Sequence, residues 1–166
     1  MTTTIKTETA ASIEHVTRRF GRLLALNDVS FEIPKGCVFG LVGENGAGKT
    51  SLIKMMLGLL RPNKGTIRVF GSEPLRDPEA VLSKIGYLSE DRDLPDWMKI
   101  WELIRYTRAF YPSWDDAYAQ ELVNTFGLDL NAKIGKLSRG QRAQAGLVAA
   151  LAYRPPLLLL DEPSSG

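Results

Sequence analysis

The sequence contains only one cysteine and one histidine, Cys37 and His15. A single cysteine cannot form an internal disulfide, which excludes a disulfide-stapled secreted domain and favours a reducing, intracellular compartment. Cys37 stands in the apolar run CVFGLVG, so we expect a buried strand and a packed thiol there rather than a reactive one. His15 is expected on the exposed face of the first strand.

Long apolar runs are also missing. The longest candidate, AGLVAALAY, is followed by Arg154 and is far shorter than the about 20 residues that cross a bilayer as a helix. The polar, threonine-rich start lacks the apolar stretch of a signal peptide. We therefore expect a soluble chain that reaches a membrane only through a partner, with a disordered tail at residues 1–11.

Positive charge is not concentrated anywhere along the chain. The 21 basic residues are scattered among 19 acidic ones, which gives a net charge of +2. The electrostatic footprint of a nucleic-acid binder is therefore absent, and we expect no nucleic-acid partner. The apolar share of 44% is enough for one globular domain with its own core.

Alternating and continuous apolar segments predict an α/β fold. SIEHVTRRF and LNDVSFEIP alternate, which predicts two half-buried strands of an antiparallel layer. CVFGLVG and the late run LLLLD are apolar throughout, as in strands covered on both faces. GTIRVFG and KIGYLS are two further predicted strands, and KTSLIKMMLGLL is a predicted helix that ends before Pro62.

The middle of the chain, about residues 91–135, predicts a helical subdomain. One helix has an apolar stripe made of Ile100, Leu103, Ile104 and Phe110. The next begins with a capping pattern at Ser113 and ends at Gly127, a residue type typical of helix C-termini. A further helix is predicted from Arg139 to about Tyr153.

The segment GENGAGKT fits the pattern G-x-x-x-x-G-K-[ST] and stands between a predicted strand and a predicted helix. Its glycines let successive backbone N–H groups surround phosphate oxygens. Lys49 would reach the β- and γ-phosphates, Thr50 would ligate Mg²⁺, and the helix would direct its positive end at the anion. The candidate nucleotide-binding residues here are Gly43, Glu44, Asn45, Gly46, Ala47, Gly48, Lys49, Thr50 and Ser51.

Two carboxylates follow the last predicted strand, Asp161 and Glu162. They would lie at the edge of a parallel sheet where ligands bind. Asp161 would hold Mg²⁺, and Glu162 would orient or deprotonate the attacking water. An acidic turn that merely closes a strand is the alternative, and the upstream phosphate loop argues against it.

A second phosphate-binding device is predicted at KLSRGQR. Ser138 stands at a predicted helix N-cap, and Gln141 completes a capping box. An ordinary helix start explains the same residues. However, the Ser138 hydroxyl, the amides near Gly140 and the helix dipole could also bind an anion.

The three segments GENGAGKT, KLSRGQR and LLLLDEPSSG, in this order, resemble the ATP-binding cassette family, the ATPase subunits of ABC transporters. The resemblance covers nearly all of the chain after the tail and implies a P-loop NTPase core with an N-terminal antiparallel β layer and an inserted helical subdomain. It implies that Ser138, Gly140 and Gln141 contact the γ-phosphate of ATP bound to a second subunit. Two subunits, identical or different, would then enclose two ATP molecules head to tail.

The resemblance also assigns residues outside the three segments. Phe20 falls where the family places an aromatic ring that stacks on adenine, although a core phenylalanine remains the alternative. Glu90 replaces the family's glutamine and could still contact Mg²⁺ or the lytic water. Arg139 replaces a frequent signature glycine and would face an anion.

The family continues beyond DEPSSG with further segments, including a switch histidine, that this sequence does not contain. The resemblance therefore implies a C-terminally truncated chain, and we expect the 166 residues alone not to turn over ATP. Trp97, Met98 and Trp101 form the expected docking surface for a transmembrane permease subunit. A packed rather than exposed Trp101 is the alternative.

The resemblance implies a subunit peripheral to the cytoplasmic face of the cell membrane that powers solute movement with ATP and Mg²⁺. RAFYPSWDD is similar to the exporter type. A chromosome-maintenance or repair ATPase carries the same motifs, but it places a long coiled coil where this chain has a compact subdomain. A fragment of a translation factor with tandem cassettes is a further alternative.

Overall fold

The protein is described from a computed structural model, which covers residues 8–44, 46–91 and 93–162. The chain divides into two compact units, one through Leu82 and one from Ser83 onward. We call them the N-terminal unit and the C-terminal unit.

The N-terminal unit is built on an antiparallel sheet of three strands in the order β2–β1–β3. Its elements are β1 (Thr9–Phe20), β2 (Leu23–Pro34), α1 (Lys49–Met56), β3 (Lys64–Val69) and the short α2 (Pro78–Leu82). β1 buries Ile13 and Val16, three positions apart, because an irregularity in the strand between them breaks the strict alternation. α1 buries Leu52, Met55 and Met56. The predicted antiparallel layer, the strand in GTIRVFG and the helix after the glycine loop are confirmed.

The C-terminal unit joins a parallel two-stranded sheet to a group of helices. Its elements are β4 (Ile85–Leu88), α3 (Ile100–Arg108), α4 (Asp116–Phe126), a short 3-10 helix (Ile134–Lys136), α5 (Arg139–Leu151) and β5 (Leu157–Leu160). The helices share a core whose most deeply buried members are Ile100, Ile134, Val148 and Ala152. The predicted helices of the middle region and the helix starting at Arg139 are confirmed.

The prediction of a strand at CVFGLVG is wrong. Residues 37–44 form no strand, Cys37 is exposed, and Val38 and Val42 are almost fully exposed. The Cys37 thiol donates to the Pro34 carbonyl at 3.2 Å instead of packing in a core. Apolar composition makes a strand favourable only where neighbouring strands supply ladder partners, and β4 and β5 are paired with each other.

Several predicted boundaries also change. Thr9, Ala10 and Ala11, predicted in the tail, belong to β1, and both alanines are buried because they lie between β2 and β3. The first seven residues lie outside the described part of the chain. Leu160 of the last strand is exposed rather than buried, at the end of a sheet with a single neighbour.

The helical region needs three corrections. The N-cap of α4 is Asp115, not Ser113, because the Asp115 carboxylate accepts from the Tyr118 N–H while the Ser113 hydroxyl donates to the Tyr153 carbonyl. Phe110 lies beyond the end of α3 and is exposed, so it does not continue the apolar stripe. Met98, predicted on the docking surface, is buried in the helical core.

Other features of the structure bear on the sequence-based predictions. The side chain of His15 is 80% exposed, and Gly127 ends α4 in the left-handed conformation. Trp101 is exposed, so its packed alternative is wrong. Among the described residues, no helix combines the length and the hydropathy needed to cross a bilayer.

Candidate phosphate-binding sites

The loop at Gly43–Thr50 turns directly into α1. Gly46 and Gly48 adopt φ values of 85° and 87°, which side-chain-bearing residues rarely adopt, and the Ala47 N–H donates to the Glu44 carbonyl at 3.0 Å. Gly48 is the N-cap of α1 and supplies no side-chain cap. The first N–H groups of a helix without such a cap are well suited to an anion. Asn45 lies outside the described residues.

Lys49 reaches back over this loop. Its ammonium donates to the carbonyls of Gly43 at 2.8 Å and Glu44 at 3.2 Å. The Lys49 ammonium therefore lies against the loop, which is exposed at Gly43, Glu44, Gly46 and Ala47. The arrangement fits a polyanionic ligand such as a nucleoside triphosphate. Thr50 and Ser51 follow in the first turn of α1 and are half-buried.

Asp161 is the one charged residue that is buried among the described parts of the chain, with 3% of its surface exposed. Its N–H donates to the Leu88 carbonyl at 3.0 Å, which extends the pairing of β4 with β5 by one residue. The pKa of Tyr87 is raised, first by burial and then by the negative charges of Asp161 and Asp91. Asp161 follows directly after a parallel strand, at the sheet edge where ligands bind, and a carboxylate there suits Mg²⁺.

The register of the parallel strands brings the acidic candidates to one edge. Leu88 of β4 pairs with Leu160 of β5, so the residues after both strands emerge at the same carboxyl end. Glu90 is exposed there, and Glu162 adopts a φ of 47°, an uncommon conformation for a residue with a side chain. The structure therefore groups Glu90 with Asp161 and Glu162 in the C-terminal unit.

The described residues include no group of three or more His, Cys, Asp or Glu side chains that could hold a metal ion by themselves. Magnesium commonly takes only one or two protein carboxylates and completes its shell with water and phosphate oxygens. Within the C-terminal unit, Asp161 and Glu90 follow the paired strands β5 and β4 and offer carboxylates of that kind. Within the N-terminal unit, Thr50 offers a hydroxyl oxygen in the first turn of α1. Each of these donor types fits Mg²⁺ that arrives with a nucleotide.

The N-terminal end of α5 has the predicted capping box. The Ser138 hydroxyl oxygen accepts from the Gln141 N–H at 3.2 Å, and the Gln141 side-chain oxygen accepts from the Ser138 N–H at 3.0 Å. Ser138, Arg139, Gly140 and Gln141 are all exposed. Because the Ser138 oxygen acts as acceptor in the box, its hydroxyl proton remains suited to donation toward an anion.

Phe20 ends β1 and is 43% exposed, so it is not a core phenylalanine. The guanidinium of Arg18 lies 4.4 Å from the centre of its ring. The ring is therefore a surface aromatic held from one side by a cation. Its contact with adenine stays a prediction.

Sequence reasoning missed two features of the C-terminal unit. One is Tyr87, whose pKa is raised by burial and by the charge of Asp161. The parallel pairing of β4 with β5 brings these two residues to the same end of the sheet. The guanidinium of Arg142, within KLSRGQR, bonds the carboxylate of Asp96. Both arrangements join positions distant in sequence, so no local pattern could have revealed them.

Comparison with known proteins identifies the family. The model of the ABC transporter family matches residues 26–165. The chain is 38% identical over 141 residues to the ABC transporter ATP-binding protein YtrB of Bacillus subtilis (strain 168), covering 85% of this chain and 48% of that protein. It is 30% identical over 155 residues to the bacitracin transport ATP-binding protein BcrA of Enterococcus faecalis, covering 92% and 50%. The chain thus spans about half the length of these relatives.

Solved structures show the same fold. An ATP-binding subunit of an ABC transporter superposes with a TM-score of 0.85 at 27% identity, over 94% of this chain and 67% of that one. A bacterial Atm1-family ABC exporter with ATP bound superposes with a TM-score of 0.82 at 22% identity, over 96% of this chain and 30% of that one. At this identity the likeness supports the fold alone. The predicted α/β fold of the P-loop NTPase type is confirmed. The family match and these relatives together show that the chain belongs to the ABC transporter family, within its ATP-binding part.

Proposed function

We propose that the chain is the ATP-binding and ATP-hydrolysing part of an ABC transporter subunit, of the exporter type, that powers solute movement across a membrane. The observation that carries the proposal is the loop at Gly43–Thr50, with its left-handed glycines, its uncapped helix start and the Lys49 ammonium over its mouth. Family membership supports it. YtrB and BcrA are both transport proteins, which favours this function over a translation factor or a chromosome-maintenance ATPase.

The residues divide the work on the nucleotide. The loop amides and Lys49 would bind the phosphates. Thr50, Asp161 and Glu90 would be the protein ligands of Mg²⁺, and Glu162 would orient the attacking water. Mg²⁺ supplies positive charge where negative charge develops on the phosphoryl oxygens. The burial of Asp161 and the shared strand edge of Glu90 and Glu162 support these roles.

Two subunits share each site in this proposal. The exposed start of α5, with Ser138, Gly140 and Gln141, would face ATP held by the phosphate loop of a second subunit. Phe20 would stack on the adenine of the ATP bound by its own chain. The exposure of the capping box and of the Phe20 ring supports both roles. The positive end of the α5 dipole adds attraction for the neighbour's γ-phosphate.

A permease subunit is the second partner, and it places the protein at the cytoplasmic face of the membrane. The exposed rings of Trp97, just before α3, and Trp101, in its first turn, are suited to a protein interface, where tryptophan is enriched. The export role rests on relatives such as the Nod factor export ATP-binding protein I of Burkholderia lata, 36% identical over 157 residues and covering 92% of this chain and 52% of that protein.

Replacement of Lys49 by alanine tests the nucleotide site. We expect Lys49→Ala to weaken binding of ATP with Mg²⁺ roughly ten- to hundredfold in titration calorimetry, since charge-assisted hydrogen bonds to the terminal phosphates are lost. Lys54→Ala is the matched control, because Lys54 is an exposed lysine in the last turn of the same helix. Equal affinity of Lys49→Ala and Lys54→Ala would contradict the assignment.

A further inference from the structure

Arg142 belongs to the segment KLSRGQR but takes no part in the capping box of α5. Its guanidinium donates to the carboxylate of Asp96, and it lies 3.5 Å from the carbonyl oxygen of Ile134. Only 22% of the Arg142 side chain is exposed. An arginine this far withdrawn from water needs fixed partners, and Asp96 and Ile134 provide them.

Asp96 begins a segment that is hydrogen-bonded along its length to the chain leading into α5. We call residues 96–101 the docking segment and residues 130–135 the approach segment. Their backbones are joined by four hydrogen bonds, Gly135 N–H to Asp96 O at 3.0 Å, Ile134 N–H to Met98 O at 2.9 Å, Ile100 N–H to Ala132 O at 3.1 Å and Trp101 N–H to Leu130 O at 3.1 Å. The buried side chains of Met98, Ile100 and Ile134 fix the same pair of segments in the helical core.

The two segments approach most closely at Gly135. A Cβ atom built there would lie 3.1 Å from both the Cβ and the carbonyl oxygen of Asp96. That spacing is tighter than ordinary van der Waals contact, so the glycine permits the Asp96 backbone to sit against the approach segment. The contact at this end of the pair is therefore tight as well as hydrogen-bonded.

Arg142 connects this pair of segments to the end of α5 that carries Ser138. The Arg142 N–H donates to the Ser138 carbonyl at 2.9 Å, which places Arg142 one helical turn after the cap. The docking segment carries the exposed rings of Trp97 and Trp101. One ion pair thus ties the first turns of α5 to the segment that presents these rings.

We propose that Asp96 and Arg142 are positioning residues, which hold the Ser138 end of α5 in a fixed orientation relative to the docking segment. The inference rests on the proposed function, because the oriented helix end is the one that would face a neighbour's ATP. Without the guanidinium link, the backbone bonds would still hold the approach segment and the core would still hold the later turns of α5 through Val148. The exposed first turn of α5, which carries Ser138, would lose the side-chain link to the docking segment that Arg142 provides. The ion pair therefore affects the site offered to the neighbour, not the phosphate loop of its own chain.

The test compares single and double variants of the full-length protein carrying Glu162→Gln. We expect Asp96→Ala and Arg142→Ala each to weaken ATP-dependent dimerisation roughly tenfold in sedimentation experiments, as changes along a coupling network do. The affinity of each variant for ATP with Mg²⁺, and its melting temperature, should stay close to those of the parent. The double variant with Asp96→Arg and Arg142→Asp should recover part of the dimerisation, because it restores an opposite pair.

Arg108→Ala is the matched control. Arg108 forms an ion pair with Asp116 at 2.8 Å in the same unit, away from the docking segment, and its loss should leave dimerisation unchanged. Unchanged dimerisation of Arg142→Ala, or parallel losses of melting temperature and ATP affinity, would overturn the inference. A parent protein that binds no ATP would instead overturn the proposed function, and this inference with it.

Discussion

Gly48 is the residue at which the phosphate loop rests on strand β2. A Cβ atom there would lie 2.6 Å from the carbonyl oxygen of Ala25, a distance that real side chains do not tolerate. Gly46 has nearly the same backbone conformation, yet a Cβ atom on Gly46 would meet nothing within 4 Å. Two glycines of one loop are thus required for different reasons, backbone conformation at both and close packing at Gly48.

Alanine substitutions separate these two requirements. Gly46→Ala should lower the free energy of unfolding by about 1–2 kcal/mol, the usual cost of a left-handed alanine. Gly48→Ala should lower it by a further ~1–3 kcal/mol, because the methyl group also overpacks the loop against β2. Urea denaturation of the nucleotide-free protein measures both, and equal losses would show that the loop does not rest on β2 as described.

At the scale of elements, α4 depends on the N-cap residue Asp115. The Asp115 carboxylate accepts from the Tyr118 N–H at 2.9 Å and from the Arg154 side chain at 2.8 Å. The Tyr118 N–H, and after it Arg154, lower the pKa of Asp115 below its ordinary value, while Asp115 raises the pKa of Arg154. The cap thereby also fastens α4 to the chain that follows α5.

Asp115→Asn tests the charge of this cap. Asparagine still accepts from the Tyr118 N–H, but it forms no ion pair with Arg154. Because the pKa of Asp115 is lowered in the folded state, its charge stabilises the protein above the ordinary aspartate pKa. That stabilisation is lost as the pH falls through the lowered value. The parent should therefore be more stable than the variant at neutral pH, and the difference should shrink in strong acid.

Thermal unfolding over a pH series measures this difference. Arg154→Gln serves as the comparison, because it removes the second partner and leaves the helix cap intact, so its deficit should fade over the same acidic range. A gap between parent and Asp115→Asn that is independent of pH would contradict the role of the carboxylate charge.

At the scale of the whole molecule, the proposed active site belongs to two chains. The phosphate loop lies in the N-terminal unit, and the exposed Ser138 end of α5 lies in the C-terminal unit. A change at Ser138 should therefore affect assembly of the two subunits more than nucleotide binding by one of them. Separate measurements of dimerisation and of ATP affinity test this difference.

Ser138→Arg should abolish ATP-driven dimerisation in size-exclusion chromatography of a full-length Glu162→Gln protein. Its bulky side chain would occupy the position of the neighbour's γ-phosphate, while ATP affinity of the single subunit stays nearly intact. Loss of the cap should also cost about 1 kcal/mol of stability, so Ser138→Ala, which loses the cap without adding bulk, is the control. Dimers that form as well as in the parent would show that KLSRGQR is only a helix start.

Much of this protein follows from the sequence alone, where the determining interactions are local. Strands β1 and β2, the left-handed Gly127 and the capping box of Ser138 with Gln141 are confirmed because each depends on neighbours a few positions away. The glycine spacing of the phosphate loop likewise specifies its own turn before α1. The order of GENGAGKT, KLSRGQR and LLLLDEPSSG predicted the family, and the match over residues 26–165 confirms it.

Only the tertiary structure decided which apolar run is covered and which distant residues meet. Residues 37–44 are apolar enough for a buried strand, yet they are exposed in the described chain, since a strand needs hydrogen-bonding neighbours that its own composition cannot supply. The N-cap of α4 is Asp115 rather than the predicted Ser113, because the Ser113 hydroxyl is bonded to the distant Tyr153 carbonyl while Arg154 holds the Asp115 carboxylate. The bond between Arg142 and Asp96 exists for the same reason, because long-range packing of the helical core brings the docking segment beside α5.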